Sequence, residues 1–179
     1  MHFTTEYKSK SGDIIRMFDH TFSASEGPRE GQVIKELVTD MLGSLNDGEM
    51  HVFSAVEAGT ILGSIIFTHL TYDQDDRTVF LLAPVAVSTG HQAKGLGQRL
   101  ITYGLETLRE NGVDVALTYG DVNFYSKVGF SHITEADAQA PFPLQYPEGW
   151  LGQTLTDTPF APLAGPSRCV APLKNPIHW

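Results

Sequence analysis

Residues 79–111 constrain the fold more than any other stretch. They run VFLLAPVAV, then STGHQAKGLG, then QRLITYGLETLREN. A continuous apolar run, a glycine-bearing loop and a helical pattern predict strand, loop and helix in that order. Pro84 interrupts the strand and has no N–H for a ladder, which predicts a bulge or an edge. Leu96, Leu100, Gly104 and Leu108 fall four apart on one stripe of a helix that starts at about Gly95. Gly112 is placed to end that helix as a left-handed cap.

The loop carries the chemistry. Gln92-Ala93-Lys94-Gly95-Leu96-Gly97 brings two glycines to the first turn of a helix. There the backbone N–H groups lack intrahelical partners and the helix dipole is positive. Glycine lets a ligand approach the backbone closely, so the natural guest is a phosphate or pyrophosphate. A tight strand-to-helix turn without a ligand satisfies the same short pattern. The wording separates phosphate binders further. A P-loop needs Gly-Lys-Ser/Thr, whereas Lys94 precedes its glycine and Gln98 follows Gly97. A dinucleotide fingerprint needs a third Gly or Ala where this chain has Leu100.

Q-x-x-G-x-G after a V-x-V strand resembles the acetyl-CoA loop of the GNAT family of N-acetyltransferases. Phe124-Tyr125-Ser126-Lys127-Val128-Gly129-Phe130 resembles that family's second signature, F-Y-x-K-x-G-F, in the right order downstream. The resemblance covers about residues 11 to 135. It implies an α/β (α+β) acyl-CoA N-acyltransferase fold, a central mixed sheet flanked by helices, with acetyl-CoA opening a gap between splayed strands 79–87 and 113–119. It also implies that Val85, Ala86 and Val87 hold the pantetheine arm. The amides of Gln92, Ala93, Lys94, Gly95, Leu96, Gly97 and Gln98 would hold the pyrophosphate. Tyr125 matches the tyrosine that lies near the thioester sulfur in many members, which makes it the candidate general acid. A backbone amide near Val85 is the candidate oxyanion donor. A core aromatic beside Phe124 and Phe130 is the plainer reading of Tyr125.

Departures from the family pattern are specific. Thr89 stands where members often have proline, Gln92 replaces the commoner arginine, and Thr118 stands where others place an asparagine seven residues before the tyrosine. Gly120-Asp121-Val122-Asn123-Phe124-Tyr125 resembles the GDPxYY form of a subgroup of small bacterial acetyltransferases called YhbS-like. Leu82-Ala83-Pro84-Val85-Ala86-Val87 matches that subgroup's L-x-P-V-A-V strand.

Composition narrows the partners. A chain of 179 residues with 41% apolar and 18% charged residues is read as one domain with a proper core. No stretch approaches the roughly 20 apolar residues that cross a bilayer. MHFTTEYKSKSGD lacks the apolar centre of a signal peptide, and Cys169 has no cysteine to pair with, so a cytoplasmic protein is expected. The net charge of −9 disfavours nucleic acid, which needs clustered basic side chains. An acidic surface attracts cationic amines, and it also serves plain solubility.

Along the chain, residues 3–8 suggest a strand. Ile14, Ile15, Met17, Phe18 and Phe22 suggest a helix broken at Ser25–Pro28, and Val33 to Leu42 suggest a second helix. In the resembled family the segment between these helices borders the acceptor, which nominates the turn at Ser23–Glu30. His51–Val56 and Ile61–Leu70 read as a hairpin, Thr71–Arg77 as an exposed connection, and Val113–Tyr119 as a strand. A short helix ending at Gly129 and a strand from Ser131 follow. Eight of the ten prolines lie after residue 140. Because that segment is also rich in apolar residues, residues 1–140 are read as the acetyltransferase domain and 141–179 as an irregular extension packed on it.

Glu57, His51, His69, Asp73 and Asp121 fall near strand ends or turns and are candidates for the general base, with His69 the first choice. Cys169 is discounted as a nucleophile, with no helix start or basic partner expected to lower its pKa. No metal-ligand spacing is present. The expected activity is transfer of acetyl from acetyl-CoA directly to a primary amine of a small molecule or a protein amino terminus. A non-catalytic acyl-CoA sensor with the same fold stays open, as do a longer acyl group and a homodimer.

Overall fold

The computed structural model describes residues 1–179. Two compact units are present, Met1–Phe67 with Pro84–Gly104, and Thr68–Ala83 with Leu105–Trp179. The mixed pairing of strands and the flanking helices are those of the α/β class inferred above.

The first unit holds β1 (His2–Thr4), α1 (Ser11–Glu26), α2 (Pro28–Ser44), β2 (Met50–Glu57) and the first part of β3 (Thr60–Tyr72). It also takes the end of β4 (Val79–Val87) and the start of α3 (Leu96–Glu110). Strand order here is β1-β2-β3-β4, with β1 antiparallel to β2 and Phe3 opposite Ala55. Ala58 and Gly59 turn the β2–β3 hairpin with φ of 47° and 80°. Its core is aromatic: the Phe53 ring meets Phe67 at 5.9 Å and Tyr103 at 5.7 Å, both edge to face. Such pairs add about 0.5–1.5 kcal/mol to what burial alone provides. The buried Ser54 and Ser64 hydroxyls satisfy each other at 3.0 Å.

The connection between α1 and α2 differs from the expected turn. Ser23–Glu26 complete α1, Pro28–Glu30 open α2, and Gly27 alone joins them at φ 98°. Proline suits the first helical position because its missing N–H has no helical partner there anyway, so no loop is needed. The second helix then passes so close that a side chain on Gly31 would run into Ser23 and the Asp19 carbonyl.

The second unit completes β3, β4 and α3. It adds β5 (Val115–Tyr119), α4 (Val122–Tyr125), β6 (Ser131–His132), β7 (Trp150–Thr154) and β8 (Ser167–Arg168). Its order is β3-β4-β5-β7-β6, with β8 pairing β3. β4 and β5 are parallel from Val79↔Val115 to Leu82↔Thr118, whereas β7 is antiparallel to both β5 and β6. Gly112 ends α3 in the left-handed region, φ 82°. β7 is a strand that the proline-rich pattern does not announce. Trp150, fully buried, donates its indole N–H to Ala138 and meets Trp179 at 6.1 Å.

In residues 71–77, Thr71, Asp73, Gln74 and Asp76 are exposed as expected, whereas Tyr72 is buried and Asp75 and Arg77 partly so. β3 continues to Tyr72, which is 2% exposed and donates to the Gln139 carbonyl. Asp75 and Arg77 bind each other and the backbone of residues 161–164. The Asp75 and Arg77 side chains are thus partnered by the later chain.

Within β4, the Thr78 carbonyl before the strand accepts from Asp114 and Val115, so it faces β5. Ser88, just past the strand and ten residues on, donates its N–H to Leu62 of β3. Residues an even number apart in a regular strand point the same way. The alternation therefore slips once between these positions, in the stretch that carries Pro84.

Candidate active site

The loop after β4 is built from its own side chains. The Ser88 carbonyl accepts from the His91 amide at 2.8 Å, and the Ser88 hydroxyl pairs with His91 Nδ1 at 2.9 Å. Gln92 folds back so that Nε2 donates to the Val87 carbonyl at 2.9 Å, and Lys94 Nζ donates to the Gly90 carbonyl at 2.9 Å. Neither side chain is a free arm. Ala93 and Gly95 lie in the left-handed region, φ 59° and 74°. That conformation is costly for Ala93 and easy for Gly95.

Residues Gln92 to Gly95 form the turn that leads into α3. The Arg99 amide donates to the Gly95 carbonyl at 3.1 Å, and the amides of the helix's first turn have no intrahelical partner. Leu96 and Leu100, 3% and 0% exposed, anchor the start of α3, and Gly97 is buried between them. The loop from Gln92 to Gly95 is exposed. In β4, Val85 and Val87 are half-buried and Ala86 is buried. All three lie beyond Leu82, the last residue of β4 that pairs with β5.

Tyr125 closes α4 in the second unit. Asp121 starts that short helix, its carboxylate accepting from the Asn123 amide at 2.9 Å. The Tyr125 amide donates to the Asp121 carbonyl at 3.0 Å, and its carbonyl accepts from Phe130 at 3.2 Å. Gly129 supplies the left-handed turn between them, φ 96°. The ring meets Phe124 at 5.0 Å and Phe130 at 5.8 Å, both edge to face. The side chain as a whole is half-buried, yet its hydroxyl lies deep in protein. Burial pushes the phenol up to about 12, opposed by the Thr118 hydroxyl. At neutral pH it is a hydrogen-bond donor. Thr118 itself is fully buried and donates to the Leu82 carbonyl at 2.7 Å.

The candidate bases are scattered over separate tasks. Asp73 pairs with Arg168 at 3.0 Å, Asp121 caps α4, and Glu57 meets the Met1 amino group at 3.6 Å. His69 stacks on Phe80 at 5.3 Å. His51 stacks on Phe53 at 6.4 Å and is lowered by burial, against the opposing charge of Asp47. Cys169 is buried and its thiol is raised by that burial, so it is poorly ionised. No group of three or more His, Cys, Asp or Glu could hold a metal ion.

Two residues of this region escape sequence reasoning in different ways. Thr118 is visible only as a departure from the family's asparagine. Gly120 reads as an ordinary turn glycine, although its lack of a side chain is what admits the Tyr125 ring.

No helix is long and apolar enough to cross a membrane. The sequence profile of the Acetyltransferase (GNAT) family matches residues 13–130. The uncharacterized N-acetyltransferase YjhQ of Escherichia coli K12 is 30% identical over 178 residues, covering 96% of this chain and 94% of that protein. The uncharacterized N-acetyltransferase YhbS of the same strain is 29% identical over 87 residues, 49% of this chain and 52% of its own. Among solved structures, E. coli YhbS in complex with CoA matches with a TM-score of 0.80 at 21% identity, over 97% of this chain and 92% of that one. A GNAT acetyltransferase from Brucella melitensis in complex with acetyl-CoA matches with a TM-score of 0.71 at 22% identity, over 97% of each chain. An aminoglycoside 6'-N-acetyltransferase complexed with coenzyme A matches with a TM-score of 0.62 at 15% identity, over 89% of this chain and 99% of that one. With a profile match over residues 13–130 and a relative aligned along nearly its whole length, this chain belongs to the GNAT acetyltransferase family.

Proposed function

We propose that this protein transfers the acetyl group of acetyl-CoA directly to a primary amine, on a small molecule or a protein amino terminus. The observation that carries this reading is the exposed turn from Gln92 to Gly95, with Ala93 and Gly95 in the left-handed region, at the positive end of α3. A pyrophosphate is the anion whose length and charge suit such a turn. Val85, Ala86 and Val87 line the pantetheine arm, since the pairing with β5 has ended before them.

The amine nitrogen, unprotonated, attacks the thioester carbon. A C–N bond forms, the C–S bond breaks, the amine loses a proton to solvent, and CoA leaves as the thiolate. The Val85 amide serves the oxyanion, a contribution of about 2.7–4 kcal/mol for one good donor. Tyr125, which matches the tyrosine of the family's F-Y-x-K-x-G-F signature, is the proposed donor to the departing sulfur. With the phenol near 12 and an ordinary thiol at about 8.5, the phenol keeps its proton and stabilises the thiolate by hydrogen bonding. The acceptor arrives as a cationic amine drawn by the net charge of −9, as the aminoglycoside enzyme among the structural neighbours suggests, and gives a first proton to solvent before its nitrogen attacks.

Calorimetry with acetyl-CoA, followed by thiol release with a panel that includes kanamycin and spermidine, tests this. Saturable binding and amine-dependent thiol release are expected. Absence of binding at about 1 mM acetyl-CoA overturns the reading.

A further inference from the structure

Gly120 joins β5 to α4, and its φ is outside the left-handed region, so backbone freedom does not explain a glycine there. Space does. A methyl group at this position would stand 2.7 Å from Cε2 of Tyr125, 3.4 Å from Cδ2 and 3.7 Å from Cζ. The ring has little room to retreat, because Phe124 and Phe130 meet it edge to face and both its backbone groups are hydrogen-bonded. The main chain of Gly120 is itself fixed, its N–H on the Gly149 carbonyl at 2.9 Å. Gly149 permits that contact, since a methyl there would come within 3.0 Å of the Gly120 carbonyl. Two residues before Gly120, the buried Thr118 is tied by its hydroxyl to the Leu82 carbonyl.

We propose that Gly120 and Thr118 are positioning residues that fix where the Tyr125 phenol points. Gly120 gives the ring its place against the main chain. Thr118 holds a hydroxyl, clamped on β4, next to the phenol. The role matters to the reaction only through Tyr125 and so rests on the function proposed above, but the seat itself is measurable without any acceptor.

The test labels the rings of the six tyrosines for NMR and assigns Tyr125 by its disappearance in Tyr125→Phe. Gly120→Ala is expected to move the Tyr125 signal while acetyl-CoA affinity stays within about twofold and thiol release falls about tenfold to a hundredfold. In the Tyr125→Phe background the same alanine is expected to cost nothing more. An unmoved Tyr125 signal, or an equal loss in both backgrounds, overturns the proposal. If Gly120→Ala does not fold, Thr118→Val must move the signal and Thr118→Ser must restore it; a valine variant with an unmoved signal overturns it equally. If Tyr125→Phe turns over like the wild type, the acid reading falls, while the ring signal still reports on the seat.

Discussion

The Arg77 guanidinium grips the Asp75 carboxylate with two nitrogens, Nε on Oδ1 at 2.9 Å and Nη2 on Oδ2 at 2.8 Å. The same guanidinium donates to the carbonyls of Ala161 and Pro162, both at 2.8 Å, and Asp75 accepts from the Ala164 amide at 3.1 Å. The ion pair thus helps to dock a proline-rich segment that is also held by the Asp73 amide on Pro166, the Gln74 amide on Ala164 and the Leu163 amide on Asp137. Arg77→Ala should lower stability by about 1–3 kcal/mol, since charge-assisted bonds are lost but the pair is partly exposed. Limited proteolysis should then cut between residues 157 and 166, where the wild type resists.

Asp75 also sets a pH dependence. Hydrogen bonds from Arg77 hold its carboxyl well below the usual carboxylate range. A depressed folded value stabilises the protein fully above the unfolded value of about 3.9, and the benefit is lost as pH falls from there through the folded value. The stability gap between wild type and Asp75→Asn should be constant from pH 7 to about 5 and shrink in stronger acid. Urea titrations at a series of pH values measure it.

Gly104 is the position on the α3 stripe where bulk is excluded. A methyl there would lie 2.9 Å from Phe67 Cε2, 3.1 Å from Phe53 Cδ2 and 3.2 Å from Ile65 Cδ1. Despite the better helix propensity of alanine, Gly104→Ala should destabilise by about 1–3 kcal/mol through overpacking. Thermal unfolding of the purified variant decides the sign.

Gly95 gives a cleaner probe of the loop, because its side-chain position faces open space and only its φ of 74° demands glycine. Gly95→Val should force the chain out of the left-handed region and disperse the amides. Acetyl-CoA affinity should fall about tenfold or more by calorimetry, with a drop in melting temperature of only a few degrees.

Tyr125→Phe keeps the ring contacts with Phe124 and Phe130 and removes only the hydroxyl. Cofactor affinity should hold within about twofold, while turnover falls about a hundredfold through loss of the hydrogen bond to the leaving thiolate. Turnover equal to wild type would leave the phenol a packing group.

Local signals were the legible ones. The strand, loop and helix around Gly95 could be read because each depends on neighbours a few residues away, as does the left-handed cap at Gly112. What could not be read depends on distant partners. Nothing near Thr71–Arg77 says that residues 139 and 161–168 will cover it. The Gly27 elbow shortens an expected turn to one residue because Pro28 suits a helix start as well as a helix break. Gly120 looks like any turn glycine until Tyr125 is placed against it.

The position of β7 has a consequence for how the molecule is made. Trp150–Thr154 inserts between β5 and β6, so β6, although synthesised earlier, has no sheet partner until β7 arrives. On the ribosome β5 waits with one side unsatisfied, an invitation to pair with another chain. The nascent protein is open to edge pairing in the interval after β5 has emerged and before β7 has.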